Sequence, residues 1–102
     1  MYNTSIMKIV KMNRRHKAFR YGFTHGLRYE ESHMASSFER VKLKLEAMYG
    51  HPSWDDRRAR HHPWMYVWGK RNPATGYYVK WIHIKREEDL TLLMLSGALD
   101  ES

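Results

Sequence analysis

Cysteine is absent from all 102 residues. Disulfide scaffolds, Cys-ligated zinc fingers, iron–sulfur centres and Cys nucleophiles are therefore excluded. Long apolar runs are also missing. Ile6 to Met12 is broken by Lys8 and Lys11, and nothing approaches the ~20 residues needed to span a bilayer. No apolar stretch of signal-peptide length opens the chain, so a cytoplasmic protein is expected and no membrane partner. Glycine is limited to six residues and proline to three, while aromatics reach 14%. That balance argues against disorder, since disordered chains are poor in rings. A single domain over 1–102 fits the length. The most informative absence is acid: none occurs from Met1 to Tyr29.

In that same segment stand seven cations: Lys8, Lys11, Arg14, Arg15, Lys17, Arg20 and Arg28. From Glu30 onward, 11 basic residues meet 11 acidic ones. The formal charge of +7 thus belongs to the first 29 residues. A one-signed segment of this kind is an electrostatic footprint for phosphates, acidic proteins or anionic lipid.

Hydrophobic periodicity predicts the elements. Ser5 to Met12 reads as a strand, and Asn13 to His16 as a polar turn. Phe19, Tyr21 and Phe23 alternate with Arg20, Gly22 and Thr24, which predicts a second strand with an aromatic inner face. Ser36 to Glu39 fits a capping box, and Phe38, Val41, Leu45, Met48 and Tyr49 then form one helical stripe. Gly50 and Pro52 end that helix. Gly50 to Pro63 is a long loop. Trp64 to Gly69 and Tyr77 to Ile84 form a hairpin around the turn residues Asn72 to Gly76. Both faces of the return strand carry apolar bulk, so it should be central in the sheet or covered on both sides. Glu87, Glu88 and Asp89 open a second helix, with Leu90 to Leu95 as its apolar body and Gly97 as its stop. The order ββαββα predicts an α+β fold: an antiparallel sheet of about four strands with two helices on one face. Phe19, Phe23, Tyr66 and Trp81 are expected to face the core.

Catalytic patterns are not evident. No GxSxG, phosphate-cradling glycine loop or triad-like spacing occurs, so no enzyme activity and no cofactor are expected. The seven histidines lack HxxxH and HExxH spacing. His51, His61 or His62 with Asp55 is the nearest approach to a metal set, and surface histidines are the simpler reading. The pairs Glu30-Glu31 and Asp55-Asp56 read as carboxylates that solvate a loop or pair locally with Arg.

Interleaved cations and rings say more. Nucleic-acid readers combine Lys or Arg for phosphates with aromatic faces for bases. Lys11, Arg14, Arg15, Lys17 and Arg20 are the expected phosphate contacts on the N-terminal strands. Arg57, Arg58 and Arg60 in the long loop would add a second set, with Trp54 stacking.

Residues 64–69 (Trp-Met-Tyr-Val-Trp-Gly) and 77–95 resemble small uncharacterised tailed-bacteriophage proteins, which end in an aromatic hairpin followed by an acidic-start helix. The resemblance implies a viral origin and a role in the cytoplasm of an infected bacterium. The same pattern occurs in DNA-binding domains built from three strands and a helix. The leading expectation is a small basic protein that binds DNA or RNA. The alternative is a phage-encoded inhibitor or modulator of a host protein complex, whose anchors would be Trp, Tyr and Arg. A homo-oligomer joined through an exposed strand edge is a third possibility.

Overall fold

A computed structural model describes residues 5–32, 35–52 and 62–97. Within these residues lie strands β1 (Ser5–Lys11), β2 (His25–Glu31), β3 (Trp64–Arg71) and β4 (Tyr78–Ile84). Helix α1 (Ser37–Tyr49) follows β2, and helix α2 (Glu87–Leu95) follows β4. The strands form one antiparallel sheet in the order β1-β2-β4-β3. This is the expected α+β order.

Register assigns the strand residues to faces, apart from an irregularity in β3 between Trp68 and Arg71. Leu27 and Tyr29 of β2, Ile82 and Ile84 of β4, and Trp64 and Tyr66 of β3 share one side. Phe38, Val41 and Leu45 of α1 join them in a single buried cluster, with Leu90 and Leu93 of α2. Both helices therefore cover the same face. The α1 stripe places its apolar residues inward as its periodicity predicts, except that Met48 is exposed. Gly50 closes the helix at φ 85°, donating its N–H to the Glu46 carbonyl at 2.8 Å. The Gly50 carbonyl in turn accepts from Trp64 Nε1 at 3.1 Å, which satisfies a fully buried indole. Asn72 organises the β3–β4 turn, accepting from Gly76 N–H at 2.7 Å. Among the described residues no helix is long and apolar enough to cross a membrane.

Four expectations need correction. Phe19 to Thr24 is not a strand. Lys17–Tyr21 forms a 3-10 turn that ends at Gly22 with φ 93°, and Phe19 is exposed. The actual second strand takes its inward residues from Leu27, Tyr29 and Glu31. The capping box does not form either, because the Ser36 side chain makes no cap hydrogen bond. The fully buried Glu31 carboxylate accepts the Phe38 N–H instead, at 3.4 Å, and Lys80 Nζ donates to it at 3.1 Å. Glu31 is thus an interior ion-pair partner and not a loop-solvating group. Finally, α2 buries Leu90 and Leu93 but leaves Leu92, Met94 and Leu95 exposed. Truncating Leu93 still costs roughly 2–5 kcal/mol. Truncating Met94 falls within about 0.5 kcal/mol of neutral, as for other surface substitutions.

Candidate functional site

Among the described residues, no helix covers the other sheet face. Two cross-strand rows run over it: Lys8, Arg28, Trp81 and Val67, then Val10, Gly26, His83 and Met65. Trp81 therefore faces away from the main core, which corrects the expectation made for it. Tyr66 and Phe23 are buried as expected, but Phe23 lies with His83, at a ring separation of 6.0 Å.

The chain between β1 and β2 folds over part of this face. Asn13 shapes its first bend: its Oδ1 accepts from Arg15 N–H at 3.0 Å, and its carbonyl accepts from His16 N–H at 2.9 Å. His16 Nδ1 accepts from Asn13 N–H at 3.2 Å, which holds the imidazole against the bend. The 3-10 turn follows, and Met12 and Phe23, which flank it, are buried outside the main cluster.

Between turn and sheet runs a groove of about 520 Å³. Arg15, His16, Lys17 and Tyr21 line it from the turn, and Trp81 and His83 from β4. Its volume is ordinary for a ligand site. Among the described residues, no carboxylate lines it. Trp81 and His83 stack at 5.7 Å with their planes 21° apart, and His16 meets Trp81 edge-on at 6.3 Å. Burial, with His16 nearby, pushes the His83 imidazole down to about 4. It is neutral near pH 7, and its Nδ1 is buried without a hydrogen-bond partner.

Of the predicted contacts, Arg15 and Lys17 line the groove. Arg14 and Arg20 are exposed on the same connection. Arg14 sits in the expected polar turn, and Arg20 in the 3-10 turn, not on a strand as expected. Lys11 is exposed too, but shares the β1 face of Met7 and Ile9, on the helix side. Trp54, Arg57, Arg58 and Arg60 lie outside the described residues. Among the described residues, none of Lys8, Lys11, Arg14, Arg15, Lys17 and Arg20 is paired with a carboxylate. Arg28 is the exception in this segment, lying 3.4 Å from Glu30. The histidines near the long loop have other attachments: His51 contacts Glu46 at 3.1 Å, and His62 contacts the Trp64 carbonyl at 3.1 Å.

Sequence reasoning missed Trp81, His83, His16 and Tyr21 as a group. The available signal was the alternation of Val79, Trp81 and His83 on one face of β4. No family model, curated protein or solved structure matches the chain.

Proposed function

We propose that the chain is a small nucleic-acid-binding protein, encoded by a phage, which contacts phosphates through its basic N-terminal segment. One observation carries this reading. Six exposed cations between Lys8 and Arg20 have no carboxylate partner among the described residues, and two of them border a groove with an aromatic floor. Unpaired cations beside flat rings suit phosphates and bases together. The likeness of residues 64–69 and 77–95 to tailed-phage proteins supports the viral origin and the cytoplasm of an infected bacterium as the place of action.

Anisotropy binding to DNA and RNA across a salt series tests the reading. Five phosphate contacts would give a log–log slope of about −4.5 on duplex DNA. A flat response to salt would sink the proposal.

A second reading is favoured by a separate surface. Leu92, Met94 and Leu95 stand exposed along α2, and Leu95 is 80% accessible. Such a patch suits the binding and inhibition or modulation of a host protein complex. Pull-down from bacterial lysate with and without nuclease separates the two. A stoichiometric partner that survives nuclease supports inhibition, and complete loss on nuclease supports nucleic acid.

A further inference from the structure

We infer that the groove on the sheet face opposite α1 and α2 receives one unpaired nucleobase, stacked against Trp81, while Arg15 and Lys17 hold the flanking phosphates. The protein then selects single strands over duplexes. This deepens the nucleic-acid reading and rests on it.

Three observations converge. The groove joins two chemistries on opposite walls: cations from the turn, rings from the sheet. An anionic ligand with a flat aromatic part is the complement of that arrangement. The described residues that line it include no carboxylate, so they offer no counter-charge to a cationic or zwitterionic ligand. Second, Trp81 is only partly covered. One side of the ring is engaged by His83, His16 lies beside it at a steep angle, and the groove gives access to what remains. A base inside a duplex hides its faces in the stack, so only an unpaired base can use this surface. Third, His83 is 7% exposed and lines the groove, yet its Nδ1 has no hydrogen-bond partner. Buried polar atoms in folded proteins are nearly always paired. The polar edge of a base is a fitting partner for an imidazole left in this condition.

The test uses the intact chain and three 12-nucleotide probes: an oligothymidine strand, a blunt duplex, and a strand of abasic sites with the same phosphates. Adenosine monophosphate serves as a competitor. The strand should bind about tenfold more tightly than either other probe, as expected for loss of one base–aromatic stack. Trp81→Leu should erase that preference, while Trp68→Phe, on the opposite face, should keep it. Arg15→Gln with Lys17→Gln should weaken all three probes and flatten the salt slope by about 1.4 on the single strand. Equal, salt-dependent binding to strand, duplex and abasic probe would overturn base insertion and leave phosphate binding standing. Salt-independent binding, or none, would overturn both readings. Displacement of the strand by equimolar adenosine monophosphate would assign the groove to a free nucleotide and overturn the strand proposal. The abasic comparison needs no variant, so a folding defect in Trp81→Leu does not shield the idea.

Discussion

Trp81 covers Gly26: a Cβ at position 26 would stand 3.0 Å from the nearest indole carbon and 2.6 Å from Met12 Cε. The missing side chain on β2 is what lets the ring settle on the sheet and form the groove floor. Gly26→Ala sets two effects against each other. A less flexible unfolded chain stabilises by about 0.4–1 kcal/mol where the new residue fits without strain. Overpacking destabilises by about 1–3 kcal/mol. Met12 can swing its end away, but Trp81 is held by His83 and His16. Overpacking should win, with a net loss of about 1 kcal/mol in urea denaturation. Tryptophan emission should shift to the red as the indole lifts. Unchanged emission and stability would mean that the ring does not depend on this glycine.

Tyr49 and Arg86 meet at one carboxylate. Tyr49 donates its hydroxyl to Asp89 Oδ1 at 2.7 Å, and Arg86 donates to both oxygens, at 3.0 and 3.1 Å. The end of α1 is thereby fixed to the start of α2. Burial pushes Asp89 up, but the bonds from Arg86 and Tyr49 outweigh it and hold the carboxyl below its usual range. Burial and then Asp89 push the Tyr49 hydroxyl up to about 12. Tyr49→Phe should cost about 1.5 kcal/mol, the value of a hydrogen bond to a charged group. Asp89→Asn should cost more, since it weakens both partners' bonds. Equilibrium denaturation measures both. Equal stability of wild type and Tyr49→Phe would show that the bond contributes nothing.

What the sequence disclosed divides by distance along the chain. The α1 stripe of Phe38, Val41 and Leu45 and the Asn72–Gly76 turn are local patterns, and both formed as expected. The fate of Glu31 depends on Lys80, 49 positions away, and no local pattern reports that. Phe19, Tyr21 and Phe23 alternate as a strand would, yet Gly22 stops the 3-10 turn between them. The apolar bulk on both faces of β4 fits its central place between β2 and β3. Which side belonged to the helices could be decided only once β2 had been placed. The basic segment was visible as charge, but the groove beside it required knowing that Trp81 faces away from α1 and α2.

Lys80 sits in an interior that offers it one carboxylate and two rings. Its Nζ is 3.1 Å from Glu31, 4.5 Å from the Trp68 ring centre and 5.3 Å from that of Phe38. Removing only the lysine takes away the ammonium that lies 3.1 Å from a fully buried carboxylate. Lys80→Met should therefore cost roughly 3 kcal/mol or more. The double variant Lys80→Met, Glu31→Leu should recover part of the loss, because the buried carboxylate is removed along with the ammonium. Recovery will be incomplete, since Glu31 also accepts the Phe38 N–H at the start of α1. Urea midpoints for the wild type and the three variants of this cycle settle the sign. Strict additivity of the two single losses would mean that the charges do not act as a pair.

His83 makes stability depend on pH in a defined window. In the folded chain its imidazole is held near 4, first by burial and then by His16, whereas the unfolded chain returns it to about 6.5. Between those values the unfolded chain binds a proton that the folded chain refuses. Stability is thus complete above pH 6.5, declines as the pH falls, and has lost this contribution by about pH 4. The full span corresponds to at most about 3 kcal/mol. Phe23, Trp81 and His16 pack around the ring, and Lys85, which lies 5.3 Å from the Phe23 ring centre, adds positive charge nearby. None of these offers a carboxylate to stabilise an imidazolium. Replacement by phenylalanine keeps an aromatic ring against Trp81 and Phe23 but cannot be protonated. Thermal midpoints of wild type and His83→Phe, measured from pH 7.5 to 4, should diverge in shape: the wild type falls more steeply below 6.5. Parallel curves would show that another group carries the acid sensitivity.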